Sequence, residues 1–183
     1  MSQLTELLGR LQGGDREARD ALYAVAYPEL HRLAQQRLRA GGRDAVLDTT
    51  SLVHESYLRF IAGGKLRTED RRAFFAYASQ IMRSVIVNSI RERRAEKRGG
   101  DLRPVTLSTQ LAASIPSDEE TILKIHEALE VLQESEPRLA EVAQMRYFGG
   151  YNENEIAETL NVTTRTVERD WEKARMILAA ALR

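Results

Sequence analysis

The side chains that most often carry covalent chemistry are scarce in this 183-residue chain. It has no cysteine, which removes thiolate zinc ligands, cysteine nucleophiles and disulfides. Its three histidines, His31, His54 and His126, are scattered. His54-Glu55 has the opening of a zinc-protease helix, but Leu58 stands where the second histidine ligand is needed. No glycine-rich phosphate loop and no Ser/His/Asp grouping occurs. The expectation is a protein without catalytic activity, metal or cofactor, whose chemistry is recognition by charge and hydrogen bonds.

Two groups of residues have the types and spacing for that. In the segment 152–178, Arg165, Arg169 and Lys173 recur every four residues and share one helix face with Thr164 and Glu168 near its start. An arginine there can grip a guanine edge in a major groove. The second group, Asn88, Arg91, Arg94 and Arg98, lies along a helix that opens with Phe74, Phe75 and Tyr77. A basic stripe beside aromatics fits a surface that tracks phosphates and stacks unpaired bases. Each group also has a plainer reading. Arg165–Glu168, Arg169–Glu172 and Glu172–Arg175 are i,i+3 pairs that would support a solvated helix by roughly 0.2–0.5 kcal/mol each. The aromatics could be core and the basic run a solvated end.

The elements that must position these groups are helices throughout. Almost every apolar pattern has a helical period and none is strand-like, which gives an all-α fold class. A first helical region runs from about Thr5 to Leu38, interrupted near Gly13-Gly14-Asp15 and again at Pro28. A second helix starts after Asp48 and stops at Gly63-Gly64. A third runs from about Glu69 to Arg98, with Phe74, Ala78, Ile81 and Val85 on its apolar face. The stretch 101–118 is rich in Ser, Thr and Pro and reads as a linker. Helices follow near 119–134 and 137–147, then a pair at 153–160 and 164–181. The expected layout is two small helical domains, 1–98 and 119–183, joined by 99–118. Charge divides along the same line. Residues 1–100 hold 18 Lys/Arg against 12 Asp/Glu, whereas 101–183 hold 9 against 15, for net charges of +6 and −6. Such asymmetry fits halves that face different partners. The longest apolar runs, 21–27 and 177–182, are too short to span a bilayer. With no signal peptide visible at the N-terminus, a cytoplasmic protein with no membrane partner is expected.

The C-terminal helix pair has the strongest local signal. Ile156, Ala157 and Leu160 form a buried stripe, and Ala157 is small where two helices cross. Asn161 falls at a turn that wants a left-handed residue. Val162 fills the corner, Thr163 or Thr164 can cap the next helix, and Val167, Trp171, Ala174 and Leu178 form its inner face. This is a helix-turn-helix pattern with the start of its second helix aimed at DNA.

A basic aromatic helix, a linker and a terminal helix-turn-helix together resemble the extracytoplasmic-function (ECF) group of the sigma-70 family, over nearly the whole chain. Residues 48–58 (DTTSLVHESYL) resemble the family's polymerase-binding helix, 73–94 its promoter-melting helix and 151–178 its promoter-reading helix-turn-helix. The resemblance implies core RNA polymerase and promoter DNA as partners. Asp48, Ser51, Leu52, Glu55 and Arg59 would face the clamp of the beta-prime subunit. The loop 63–70 and the following helix would open the minus-ten element through Asn88, Arg91, Arg94 and Arg98. The last helix would read the minus-thirty-five element through Thr164, Arg165, Glu168, Arg169 and Lys173, while the acidic half also meets the beta flap.

The chain departs from the family where the docking helix opens. Relatives carry an acidic cluster there, and this sequence has Asp48-Thr49-Thr50-Ser51. Loss of two acids weakens attraction to a basic partner. A phosphate on Thr50, Thr49 or Ser51, in that order of preference, would restore about −1.5 to −2 charge at a helix start. This resembles the subgroup activated by a Ser/Thr kinase rather than released from an anti-sigma factor. Plain N-capping by the hydroxyls is the alternative. Ser84 and Asn88 also differ from common family residues, so a promoter sequence does not transfer. Two other functional readings stay open: an activator that binds duplex DNA without acting as sigma, and a polymerase-binding decoy.

Overall fold

The computed structural model describes residues 3–38, 45–62, 71–99 and 119–182. Among them are eight helices and no strand: α1 Gln3–Gln12, α2 Arg16–Leu38, α3 Ala45–Ala62, α4 Arg71–Gly99, α5 Glu119–Ser135, α6 Pro137–Tyr147, α7 Glu153–Leu160 and α8 Thr164–Ala181. The all-α expectation holds. The linker expected at 101–118 and the loop 63–70 lie outside the described residues, as does the side chain of Asp48.

The break between α1 and α2 falls where the glycines place it. Gly14 takes φ +86°, which other residues rarely adopt. Asp15 then caps α2, its Oδ1 accepting from the Glu17 and Ala18 amides at 2.9 and 3.3 Å. Arg10 grips the other oxygen at 2.7 Å. That hydrogen bond holds the Asp15 carboxyl below the usual carboxylate range.

Two expectations about helix ends are corrected. Pro28 does not interrupt α2, which continues to Leu38. Proline removes one hydrogen bond from a helix interior, but Pro28 itself is exposed, while Leu22, Ala26, Leu30 and Leu33 are buried. Packing of that buried stripe keeps the helix whole. Helix α3 begins at Ala45 rather than after Asp48. Thr49, Thr50 and Ser51 therefore lie beyond its first turn, where N-capping is excluded and the helix dipole has largely faded.

Helices α1 to α4 pack in sequence, α1 on α2, α2 on α3 and α3 on α4. Their core joins Leu22, Ala26 and Leu30 to Leu52 and Val53 and to Phe74, Ala78, Ile81 and Val85. In the C-terminal half α6 is central, packed against α5, α7 and α8. The two halves also pack on each other. Helix α4 packs directly against α5, α6 and α7, and one continuous apolar cluster runs through both halves.

Candidate polymerase and nucleic-acid interfaces

The helix-turn-helix is α7, residues 161–163 and α8. A full capping box starts it: Asn152 Oδ1 accepts from the Glu155 amide at 2.9 Å, and Glu155 Oε2 accepts from the Asn152 amide at 2.8 Å. Asn161 ends α7 in the left-handed region at φ 52°, ψ 48°. The Val162 amide donates back to Ala157 O at 2.9 Å, a carbonyl that also accepts from the Asn161 amide. Of the two capping threonines, Thr163 does the work, its Oγ1 accepting from the Thr166 amide at 3.2 Å. Val167, Ala174 and Leu178 are buried and Trp171 is half-buried, as their spacing predicts.

That inner face fixes what looks outward. Thr164, Arg165, Glu168, Arg169 and Lys173 are all exposed. None of the i,i+3 pairs expected on α8 forms a salt bridge among the described residues. Arg169 instead approaches Asp170 at 3.6 Å, and Lys173 reaches Glu136 of the α5–α6 turn at 3.0 Å. Asp170 escapes a reading based on apolar spacing. Its side chain is 6% exposed and forms an ion pair with Arg138, Oδ2 to Nε 2.8 Å, fastening α8 to α6. An acid at an inner helix position, with a basic residue in a neighbouring helix, is the signal that could have revealed it.

On α3 the expected docking residues divide. Leu52 is fully buried in the core and offers no surface in this conformation. Glu55 is half-exposed and 3.4 Å from Arg59, whose Nη1 donates to Ser84 Oγ on α4 at 3.1 Å. This pairing gives Ser84, noted as unusual from the sequence, a structural role. Among the hydroxyls Thr50 is exposed, Ser51 half-buried and Thr49 fully buried at 0%.

The stripe on α4 also divides. Arg91 and Arg98 are exposed and Asn88 is half-buried. Arg94 is held across the fold by Glu119 of α5 at 3.3 Å, and Arg93 by the same carboxylate at 3.1 Å. Phe74 and Phe75 are core and Tyr77 is partly buried against it. His126 is half-buried with Nδ1 unpartnered. Burial, with the nearby guanidinium of Arg83, pushes its pKa down.

Among the described residues no group of acids and histidines could hold a metal ion, and no helix is long and apolar enough to cross a membrane. No curated protein and no solved structure matches the chain. The family model described as ECF sigma factor matches residues 1–183. The chain belongs to the ECF sigma factor family, whose members bind core RNA polymerase and promoter DNA and direct promoter-specific transcription.

Proposed function

We propose that the chain divides this work between its halves, with α3 docking on the beta-prime clamp, α4 and the segment before it opening the minus-ten element, and α8 reading the minus-thirty-five element. The outward face of α8 carries this reading. Thr164, Arg165, Glu168 and Arg169 stand exposed beside a capped, left-handed turn, the arrangement that delivers a helix start to a major groove. The cationic Arg91 and Arg98 serve the α4 contact, and Glu55 with Arg59 the polymerase contact.

Phosphorylation of α3 by a Ser/Thr kinase activates the factor in this reading, and Thr50 is the acceptor. Its exposure supports this choice, whereas Thr49 is sealed in the core. Because α3 starts at Ala45, the phosphate acts by adding negative charge to the docking face rather than by capping the helix.

Run-off transcription with core polymerase tests both parts on a panel of promoters, comparing unmodified chain with Thr49→Glu, Thr50→Glu and Ser51→Glu variants and with kinase-treated chain. Transcripts only from Thr50→Glu or phosphorylated chain support the switch. Full activity of the unmodified chain rejects it and keeps the sigma assignment. Silence from all samples, phosphorylated chain included, favours an activator or a decoy.

A further inference from the structure

A small cavity lies within the N-terminal half, between α2, α3 and α4. Its volume is about 20 Å³, and its wall is almost entirely carbon. The exception is Ser56 of α3, 7% exposed, whose Oγ is buried with no hydrogen-bond partner. Two buried serines of α4 show the ordinary solution. Ser79 Oγ donates to Phe75 O at 3.0 Å, and Ser89 Oγ donates to Val85 O at 2.8 Å, each one turn back along the helix. Ser56 has the same helical setting but leaves its hydroxyl free beside the cavity. An unpaired buried hydroxyl costs stability that a partner in the cavity returns.

The wall decides what that partner is. A void of this size has room for one water, but a buried water needs two to four polar partners. Ser56 offers one, and the Tyr57 hydroxyl is drawn instead to Asp20 and Arg19 of α2. A molecule with one hydroxyl and an otherwise apolar body is the better match. The outer side of the cavity is aromatic: Tyr23, Tyr57 and Phe60 line it and are each half-buried. The Tyr23 and Tyr57 rings lie with centroids 3.8 Å apart, and parting them admits a further ring in exchange for that contact. We infer that this cavity is a binding site for a small phenol or aromatic alcohol, its hydroxyl paired with Ser56 Oγ and its ring held among Tyr23, Tyr57 and Phe60. Binding is independent of the division of labour proposed above. Only its consequence rests on that reading: Ser56 follows Glu55 on α3, so a ligand in the cavity acts on the polymerase-docking helix from its inner side.

Phenol and toluene test the site, because they differ by a hydroxyl in place of a methyl. Met82 lines the cavity, whereas Met145 is buried in the C-terminal half, so their methyl NMR signals on the full chain give a report and a control. Neither polymerase nor DNA is present. Phenol should shift the Met82 signal saturably, with a Kd on the order of 1 mM, and leave Met145 in place. Ser56→Ala should weaken phenol about fivefold and leave toluene within about twofold. Ala78→Val narrows the cavity and should weaken both about tenfold. An unshifted Met145 signal shows that this variant is folded, and Ser56→Ala decides the matter by itself otherwise. Absence of a saturable Met82 shift overturns the site. Loss of phenol and toluene alike in Ser56→Ala, or loss of neither, overturns the pairing with Ser56. Full affinity in a folded Ala78→Val chain overturns the location. Run-off transcription tests the functional reading alone, so the two ideas can fail separately.

Discussion

Arg32 of α2 and Glu155 of α7 form an ion pair in which the glutamate has two tasks at once. One carboxylate oxygen accepts the Asn152 amide to complete the capping box, while the other meets the Arg32 guanidinium. The start of the helix-turn-helix is thereby tied to the N-terminal half by the same side chain that starts its first helix.

The two tasks can be separated. Glutamine still closes a capping box, so Glu155→Gln should lose the charge on Arg32 alone and lower stability by under about 1 kcal/mol. Glu155→Ala loses both and should cost about 1–2 kcal/mol. Urea unfolding of the two variants checks the order, and equal losses would show that only one task matters.

The turn depends on backbone conformation. Asn161 at φ 52° should tolerate glycine with little change, whereas Asn161→Ala should cost about 1–2 kcal/mol. Thermal unfolding gives the comparison, with α7–α8 amide exchange as a local reading. An alanine variant as stable as the parent would mean the turn has relaxed to another form.

Base reading on α8 has a distinct signature from phosphate contact. Arg165→Ala should weaken the cognate minus-thirty-five duplex by about 1–3 kcal/mol and relax preference at one base pair. Arg91→Ala on α4 should weaken all sequences alike and lower the salt slope by about one. Titrations of the polymerase holoenzyme on matched and mismatched promoters separate the two. Interchanged behaviours would reverse the assigned roles.

His126 brings a pH dependence. Its pKa is lowered from the ordinary 6.5, first by burial and then by Arg83 and Arg91 of α4, with Glu130 and Glu127 opposing. The unfolded chain therefore takes up a proton at a higher pH than the folded chain. Stability should be full above pH 6.5 and fall as pH drops from there towards the folded value. Urea midpoints measured across about pH 5 to 7.5 should show that loss, and His126→Leu should remove its share of the slope. An unchanged slope in His126→Leu would assign the effect to other groups.

The buried acid under α8 is a positioning residue. Asp170→Asn keeps the shape but removes the charge that holds Arg138 at 2.8 Å. A loss of about 1–3 kcal/mol is expected, below that of a fully buried pair because Arg138 is half in solvent. Minus-thirty-five affinity should fall with it, and Arg138→Ala in the Asp170→Asn background should add little.

Local order was legible in the residues themselves. Glycines at 13–14, the helical spacing of apolar positions on α4 to α8, and the Asn152–Glu155 and Asn161–Thr163 signals depend on near neighbours. The outward face of α8 followed from its inner face. What depends on packing was not legible. Pro28 reads as a break because the stripe that overrides it acts through α1 and α3. The accessibility of Thr50 against Thr49, and the burial of Leu52, are set by where α3 lies. Charge counting showed a basic half and an acidic half and pointed each at an outside partner. Only the tertiary structure decided that they face one another, because a charge acts through space on whatever the fold brings within a few ångströms, and sequence order does not record that distance.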